Sequence, residues 1–224
     1  MKKTPLLLLL ISCMMLTTAI SCMMLKTPIN AQTSDKDLKK EIKQKAVRVA
    51  RKEAKKMKRE GWYVPPGSLP LDKILENAWM KQYAEDENGN PQYITADGNA
   101  VAESKTAGEM QSIEMGKLQL AGLIETNVSS LVSGNIGNAQ LSTEDAASVT
   151  EIVQSSKNII ATQLGYVNPF FKIYKNIGKD KIEISVRLFY DVKQSLEIAK
   201  KVVRTELKEK LKMNEEKLEK LTGL

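Results

Sequence analysis

The stretch KIEISVRLFY at residues 181–190 decides the fold class, because its apolar and polar positions alternate strictly. An alternation of period two predicts a β-strand with one buried and one wet face. Residues 166–174 are rich in β-forming side chains, and the turn-forming stretch 176–180 joins the two runs. The sequence therefore predicts an antiparallel hairpin. The buried face of the second strand should carry Ile182, Ile184, Val186, Leu188 and Tyr190.

Helical patterns surround this hairpin along the chain. A further strand is predicted over residues 92–101, where Gly98 indicates a bulge or a close backbone contact. Because the strands are grouped away from alternating strand–helix–strand units, we predict an α+β fold. It should contain a small, mostly antiparallel sheet of about three to four strands with long helices packed on one face.

The longest helical pattern runs from residue 104 to about 132. Apolar residues at three- and four-residue spacing predict its buried stripe: Met110, Ile113, Leu120, Leu123, Ile124, Val128 and Leu131. Gly108 and Gly116 lie among them, and a glycine inside a helix costs about 1 kcal/mol relative to alanine. We therefore expect another element to approach this helix closely.

The N-terminal segment has the features of an export signal. Two lysines precede a long apolar run that contains the near-copies ISCMMLTTA and ISCMMLKTP at residues 11–28. Removal of one copy leaves a signal of ordinary length, so we interpret the excess as a duplication. We predict cleavage between Ala31 and Gln32.

Two other fates of this segment stay open. Residues 19–22 (AISC) resemble a lipobox, which would place a diacylglycerol on Cys22. The apolar run also reaches the roughly 20 residues of a membrane span, so an uncleaved anchor is the third reading. The predicted location is periplasmic or secreted, with an outer-membrane lipoprotein as the alternative.

The predicted organisation has four parts. Residues 1–31 are the export signal, 32–61 a basic amphipathic helix, 62–211 the α+β domain and 212–224 a charged helical tail. We expect the tail to be solvated and to fray, although its leucines could also bind a partner.

Composition excludes several classes of active site. The chain contains no histidine, and its two cysteines both lie within residues 1–31. Ser-His-Asp and Cys-His nucleophile systems need an imidazole base, and zinc sites draw mainly on Cys and His. Paired carboxylates and Ser-Lys dyads remain. No motif predicts a cofactor or a metal, and the acidic loop at 86–91 lacks the pattern of a calcium loop.

The positive charge is concentrated in one helix. Residues 35–60 contain 12 Lys or Arg against 5 Asp or Glu. One reading is a surface that contacts polyanions. The other reading is a solvated helix that packs a narrow apolar stripe on the domain, and we favour it because no Trp or Phe occurs within the helix. The candidate contact residues are Lys39, Lys43, Arg48, Arg51, Lys52, Lys55, Lys56 and Arg59.

The strand-to-helix stretch at 93–130 (YITADGNAVAESKTAGEMQSIEMGKLQLAGLIETNVSS) resembles the core motif of small Gram-negative envelope lipoproteins, the LPP-type and flagellar basal-disk groups. Gly98, Ala107, Leu120, Ala121, Ile124 and Val128 carry the likeness. The whole chain is also similar to uncharacterised secreted proteins of gut anaerobes. The resemblance implies an α+β domain at the outer membrane or in the periplasm, with a scaffolding role and no catalysis.

Three functions follow from these observations. The first is a non-enzymatic envelope protein that contacts other envelope proteins, the outer-membrane surface or its own copies. The second is binding of anionic lipid or polysaccharide by the 35–60 helix. The least favoured is a glycan hydrolase using two carboxylates. Its candidate acids are Asp97, Glu103, Glu109, Glu114 and Glu125. A nucleic-acid ligand is set aside, because aromatic residues do not alternate with the basic ones.

Overall fold

A three-stranded antiparallel sheet in the order β1–β3–β2 forms the centre of the fold. The computed structural model describes residues 35–224, with side chains from residue 40 onward except at 42 and 43. The strands are β1 (Tyr93–Ala102), β2 (Pro169–Ile177) and β3 (Lys181–Asp191). β3 is the central strand and pairs Gly98 with Val186 on one side and Tyr174 with Ile184 on the other. The predicted hairpin is confirmed, although its first strand begins three residues later than expected.

Seven helices are present in the described part of the chain. Their bounds are α1 Asp35–Arg59, α2 Leu71–Gln82, α3 Lys105–Asn135, α4 Thr143–Gln154, α5 Lys157–Gln163, α6 Val192–Leu211 and α7 Glu215–Thr222. The long helix α3 packs against the sheet, which confirms the predicted α+β class. On this face Ile184, Val186 and Leu188 of β3 are fully buried in the main core.

The contact between β1 and α3 is unusually close. A Cβ atom added to Gly98 would lie 1.8 Å from the carbonyl oxygen of Ser112 and 2.6 Å from the amide nitrogen of Gly116. A Cβ atom added to Gly116 would lie 2.9 Å from a methyl carbon of Leu188. Gly98 is therefore required for the helix backbone to lie directly on the strand, and a side chain at Gly116 would press on the buried Leu188, which confirms the expected close contact.

The buried stripe of α3 recurs at every fourth residue. Its members are Gly108, Ser112, Gly116, Leu120, Ile124, Val128 and Val132. Because four residues exceed one helical turn, the stripe winds around the helix. Its first members are small and face the sheet, and its later members are large and face the helices α4–α7. The prediction that Met110 and Leu123 are buried is wrong, since they are 66% and 43% exposed. The sheet contact is made by small residues, which carry no hydrophobic signal.

A second, smaller helical layer lies on the other face of the sheet and was not predicted. It packs alanines of α1 and apolar residues of α2 against Phe171, Ile173 and Phe189. The ammonium group of Lys81 on α2 lies 4.4 Å from the ring centroid of Tyr93 and 5.3 Å from that of Phe189. These cation–π contacts hold α2 against the strands.

The C-terminal residues belong to the main core, so the expectation of a solvated, fraying tail is wrong. Asn214 caps α7 by accepting a hydrogen bond from the Lys217 amide at 3.0 Å. Leu218 and Leu221 are completely buried in the cluster that contains the α3 stripe. Two leucines three residues apart are a weak sequence signal, but here they meet an apolar surface supplied by α3 and α6.

We predict that Gly98→Ala destabilises the protein by about 3 kcal/mol or more, because the new methyl group collides with the α3 backbone. The matched control is Gly134→Ala near the end of α3, where nothing lies within 4 Å of the added atom. This control should be neutral or stabilising by up to about 1 kcal/mol. Urea unfolding followed by circular dichroism measures both. Equal losses for the two variants would contradict the close contact.

Leu218→Ala should lower the free energy of unfolding by about 2–5 kcal/mol, because it opens a cavity in the main core. Leu69→Ala is the control, since Leu69 is 57% exposed and its truncation should stay within about 0.5 kcal/mol. Thermal and urea unfolding report both values. A Leu218 variant as stable as the control would mean that α7 does not contribute to the core.

Candidate functional site

The basic helix α1 exposes most of its charged side chains, because only a narrow stripe of it is buried. Ala46, Ala50 and Ala54 recur at every fourth residue and are at most 3% exposed. Alanine brings the helix close to its neighbours while covering little of its surface. Lysine and arginine occupy most of the remaining circumference of the helix. The expected amphipathic helix with a narrow apolar stripe is therefore present.

The positive charges of α1 are poorly compensated within the described residues. Nine basic side chains between residues 40 and 59 are exposed: Lys40, Lys45, Arg48, Arg51, Lys52, Lys55, Lys56, Lys58 and Arg59. Among them, only Lys56 has a carboxylate within ion-pair distance in the described part, at 3.8 Å from Glu60. Glu53 instead accepts a hydrogen bond from the Trp79 indole at 3.4 Å. From Lys45 to Arg59 the helix therefore presents a predominantly positive surface.

Part of this surface forms a shallow cleft between α1 and the start of α2. Its volume is about 480 Å³. Its lining consists of Arg51, Ala54, Lys55, Lys58, Arg59 and Asp72. Four cations and one carboxylate around one cleft favour a ligand that carries more than one negative charge.

Six of the eight candidate contact residues are exposed on α1: Arg48, Arg51, Lys52, Lys55, Lys56 and Arg59. Three of these six line the cleft, and the structure adds Lys58, which the sequence analysis did not select. Lys58 follows Arg51 by seven residues, about two helical turns, so the two side chains lie on the same side of a helix. This spacing could have identified Lys58 as a candidate. The side chains of Lys39 and Lys43 lie outside the described part of the structure, as do Ala31, Gln32 and Cys22.

Glu109, a candidate catalytic acid, is held in a structural cluster between α3 and β2. Its carboxylate accepts hydrogen bonds from the Tyr174 hydroxyl at 2.7 Å and the Lys172 ammonium at 2.8 Å. Partial burial raises the pKa of Glu109, but these bonds outweigh burial and the net pKa is below its ordinary value. Burial, reinforced by the neighbouring carboxylate, raises the pKa of Tyr174. A general acid needs a raised carboxyl pKa, so this cluster favours a structural role.

Asp97, the second candidate acid, lies on the opposite face of the sheet from Glu109. Its carboxylate accepts two hydrogen bonds from Arg187, at 2.6 and 2.8 Å. The guanidinium carbon of Arg187 lies 5.4 Å from the ring centroid of Phe171. Because the sheet separates Asp97 from Glu109, these two carboxylates do not form a catalytic pair.

A cavity of about 610 Å³ beside the start of β1 contains two other acids, Asp86 and Asp191. Asp86 accepts backbone hydrogen bonds from Asn88 and Asn90, and these bonds lower its pKa. Asp191 caps α6 through the Gln194 amide at 3.0 Å. Both carboxylates therefore stabilise turns at the edge of this cavity.

The remaining candidates are distributed singly. Glu114 is exposed and lies 3.9 Å from Lys117, while Glu103 and Glu125 are not brought together with another acid in any cavity described above. The Lys105 ammonium lies 4.4 Å from the ring centroid of Tyr174, so it is directed toward the Glu109 cluster.

No group of three or more acidic, histidine or cysteine side chains between residues 40 and 224 is arranged to hold a metal ion. Within residues 35–224 no helix is both long and apolar enough to cross a bilayer.

We predict that Glu109→Gln lowers the free energy of unfolding at neutral pH by about 1–2 kcal/mol, because the ion pair with Lys172 is lost. The folded-state pKa of Glu109 is below its ordinary value of 4.5, so its contribution is present above that value and is lost as the pH falls. The difference between wild type and variant should therefore narrow progressively as the pH falls below 4.5. Glu114→Gln on the same helix is the control and should change little. A difference that persists in acid would contradict the assigned pKa direction.

No protein-family model, curated protein or solved structure shows a significant match to this chain.

Proposed function

We propose that this chain is a non-enzymatic protein of the cell envelope that works by contact, with the basic face of α1 as its surface for anionic groups. Export is inferred from the N-terminal sequence. The contact role is supported by one structural observation above others: eight of the nine described basic side chains of α1 have no carboxylate partner among the described residues.

Four acids of the described domain have structural roles, which distinguishes them from the cations of α1. Glu109, Asp97, Asp86 and Asp191 are each engaged in a bond that stabilises the fold. Apart from the Lys56–Glu60 pair and a bond from Arg59 to the Lys55 carbonyl, the described cations of α1 have no comparable partner, and keeping them close together costs electrostatic free energy. An anionic surface would remove that repulsion.

The anionic groups of an envelope are the phosphates and carboxylates of lipid head groups and polysaccharides, and both can bind the same cations. Membrane insertion is not part of the proposal. The stripe that faces the domain is alanine, and the exposed side of α1 between residues 44 and 59 has no aromatic residue. Binding should therefore be electrostatic and should weaken as salt shortens the Debye length from about 30 Å at 0.01 M to about 8 Å at 0.15 M.

The combined substitution Arg51→Gln, Lys55→Gln, Lys58→Gln and Arg59→Gln should weaken binding to phosphatidylglycerol vesicles. Each cation near an anionic membrane contributes about 1 kcal/mol, so at low salt the loss should be on the order of 100- to 1,000-fold. Vesicle co-sedimentation across a salt series measures the affinity, with pure phosphatidylcholine vesicles as the neutral reference.

A matched control removes four positive charges elsewhere. Lys179, Lys181, Lys201 and Lys212 are all exposed, and their replacement by glutamine gives the same net charge. This control should bind nearly as well as the unmodified protein. Binding to a soluble anionic polysaccharide but not to vesicles would assign the surface to a glycan. Equal losses in both variants, or no salt-dependent binding to either ligand, would overturn the proposal.

A further inference from the structure

The outer edge of β1 is an open hydrogen-bonding surface. The amide of Val192 donates to the carbonyl of Gln92 at 2.9 Å, so the even-numbered residues of β1 bond to β3. In an antiparallel ladder the intervening residues point their N–H and C=O groups the other way. These are Thr95, Asp97, Asn99 and Val101, and no described residue hydrogen-bonds their backbone groups.

The opposite edge of the same sheet is protected. Tyr63 exchanges two backbone hydrogen bonds with Tyr174 of β2, at 2.8 and 2.9 Å. Two prolines follow, at 65 and 66, and proline cannot extend a hydrogen-bonded ladder. Proteins ordinarily cover, charge or interrupt their sheet edges. Tyr63 covers the β2 edge in this way, whereas among the described residues the β1 edge has one charged side chain, Asp97, which Arg187 neutralises.

An uncharged flank of α3 lies beside the open edge. Glu109, Ser112 and Met115 are three residues apart, so each is rotated by about 60° from the one before. The Glu109 side chain bonds to β2, and Ser112 lies on Gly98 of β1. A further rotation of the same size and sense places Met115 beyond the outer edge of β1. The exposed residues in this row are Gln111, Met115, Gln119 and Leu123.

The edge and the flank together contain very little charge. Met115 and Leu123 are 55% and 43% exposed, and Val101 is 53% exposed. Asp97 is the one charged side chain among these residues, and Arg187 binds it in a bidentate pair. Charged residues make up 27% of the chain, so about two would be expected among these eight residues, and the one present is neutralised by its ion pair. Depletion of charge is characteristic of the centre of a protein interface.

We propose that β1 pairs with β1 of a second copy of this chain, so that two three-stranded sheets join into one antiparallel sheet of six strands. The two-fold axis passes beside Gly98. Thr95 then faces Val101 of the other copy, and Asp97 faces Asn99.

This register is self-complementary. The Asp97 carboxylate meets an amide donor, and Thr95 and Val101 form a β-branched cross-strand pair. A register centred on Asp97 would instead place two carboxylates opposite each other, which is unfavourable. The four facing pairs supply about eight backbone hydrogen bonds.

The same arrangement covers the flank of α3. The helix α3 contacts β3 as well as β1, and its Gly116 faces Leu188 of β3, so its axis is displaced from β1 toward the centre of the sheet. Helices pack about 8–10 Å apart, so above edge strands about 4.8 Å apart the two copies of α3 fit side by side across the axis when each is displaced by about 2 Å or more. Met115 and Leu123 of each copy would then be buried between the helices. One partner therefore satisfies both the open backbone groups and the exposed apolar side chains.

Sedimentation equilibrium of the purified protein across a dilution series should show a reversible dimer. Asn99→Pro removes the outward N–H of residue 99 in each copy. Two hydrogen bonds related by the two-fold axis are lost, so the dissociation constant should rise on the order of 10- to 100-fold. Asn99→Ala keeps the N–H and loses only the side-chain contact with Asp97, so its dissociation constant should rise by less than about 10-fold, less than that of the proline variant. The circular dichroism melt of each variant tests whether it is folded. A monomer at all concentrations, or a dimer that both variants form equally, overturns the proposal.

Cysteine cross-linking tests the register without disturbing the backbone. In a Cys13→Ser/Cys22→Ser background, the Thr95→Cys/Val101→Cys variant should form a covalent dimer on mild oxidation. Thr95→Cys alone should not, because its symmetric partner is about 20 Å away along the strand. Cross-linking by the single variant, or none by the double variant, contradicts the register.

Discussion

The close contact between Gly98 of β1 and the Ser112–Gly116 turn of α3 is the constraint on which the rest of the fold depends. Without side chains at the point of contact, the helix backbone lies on the strand backbone. That contact sets the rotation of α3, and the four-residue winding of its stripe then carries Leu120, Ile124 and Val128 under the C-terminal helices. A bulkier residue at Gly98 would displace the helix and disturb the packing along its length.

The two faces of the sheet are used differently. One face bears the large core, in which α3 to α7 bury the apolar residues of β3. The other bears the small layer of α1 and α2, where alanines of α1 and larger apolar residues of α2 pack against Phe171, Ile173 and Phe189. Because so little of α1 is needed for packing, its cations remain at the surface. The thin second layer and the positive face of α1 therefore have the same physical origin.

Carboxylates and cations also divide by role. The acids on the sheet and its adjoining turns have hydrogen-bond partners that hold strands, caps and loops in place, and two of them have lowered pKa values. The cations of α1 between residues 40 and 59 are arranged along one exposed surface with a single ion pair. This difference between the acids that hold the sheet and its turns and the described cations of α1 is the basis of the proposal that α1 contacts anionic groups.

The sequence by itself determined the α+β class, the hairpin, the basic helix and the need for small residues between β1 and α3, because alternation, charge and glycine are local signals. It did not predict the burial of Leu218 and Leu221, the exposure of Met110 and Leu123, or the second helical layer. Those features depend on which surfaces meet. An apolar residue is buried only if another element reaches it, and a glycine row can form a contact face without any hydrophobic pattern. The cleft around Lys58 and the open edge of β1 arise in the same way, since each depends on where neighbouring elements end.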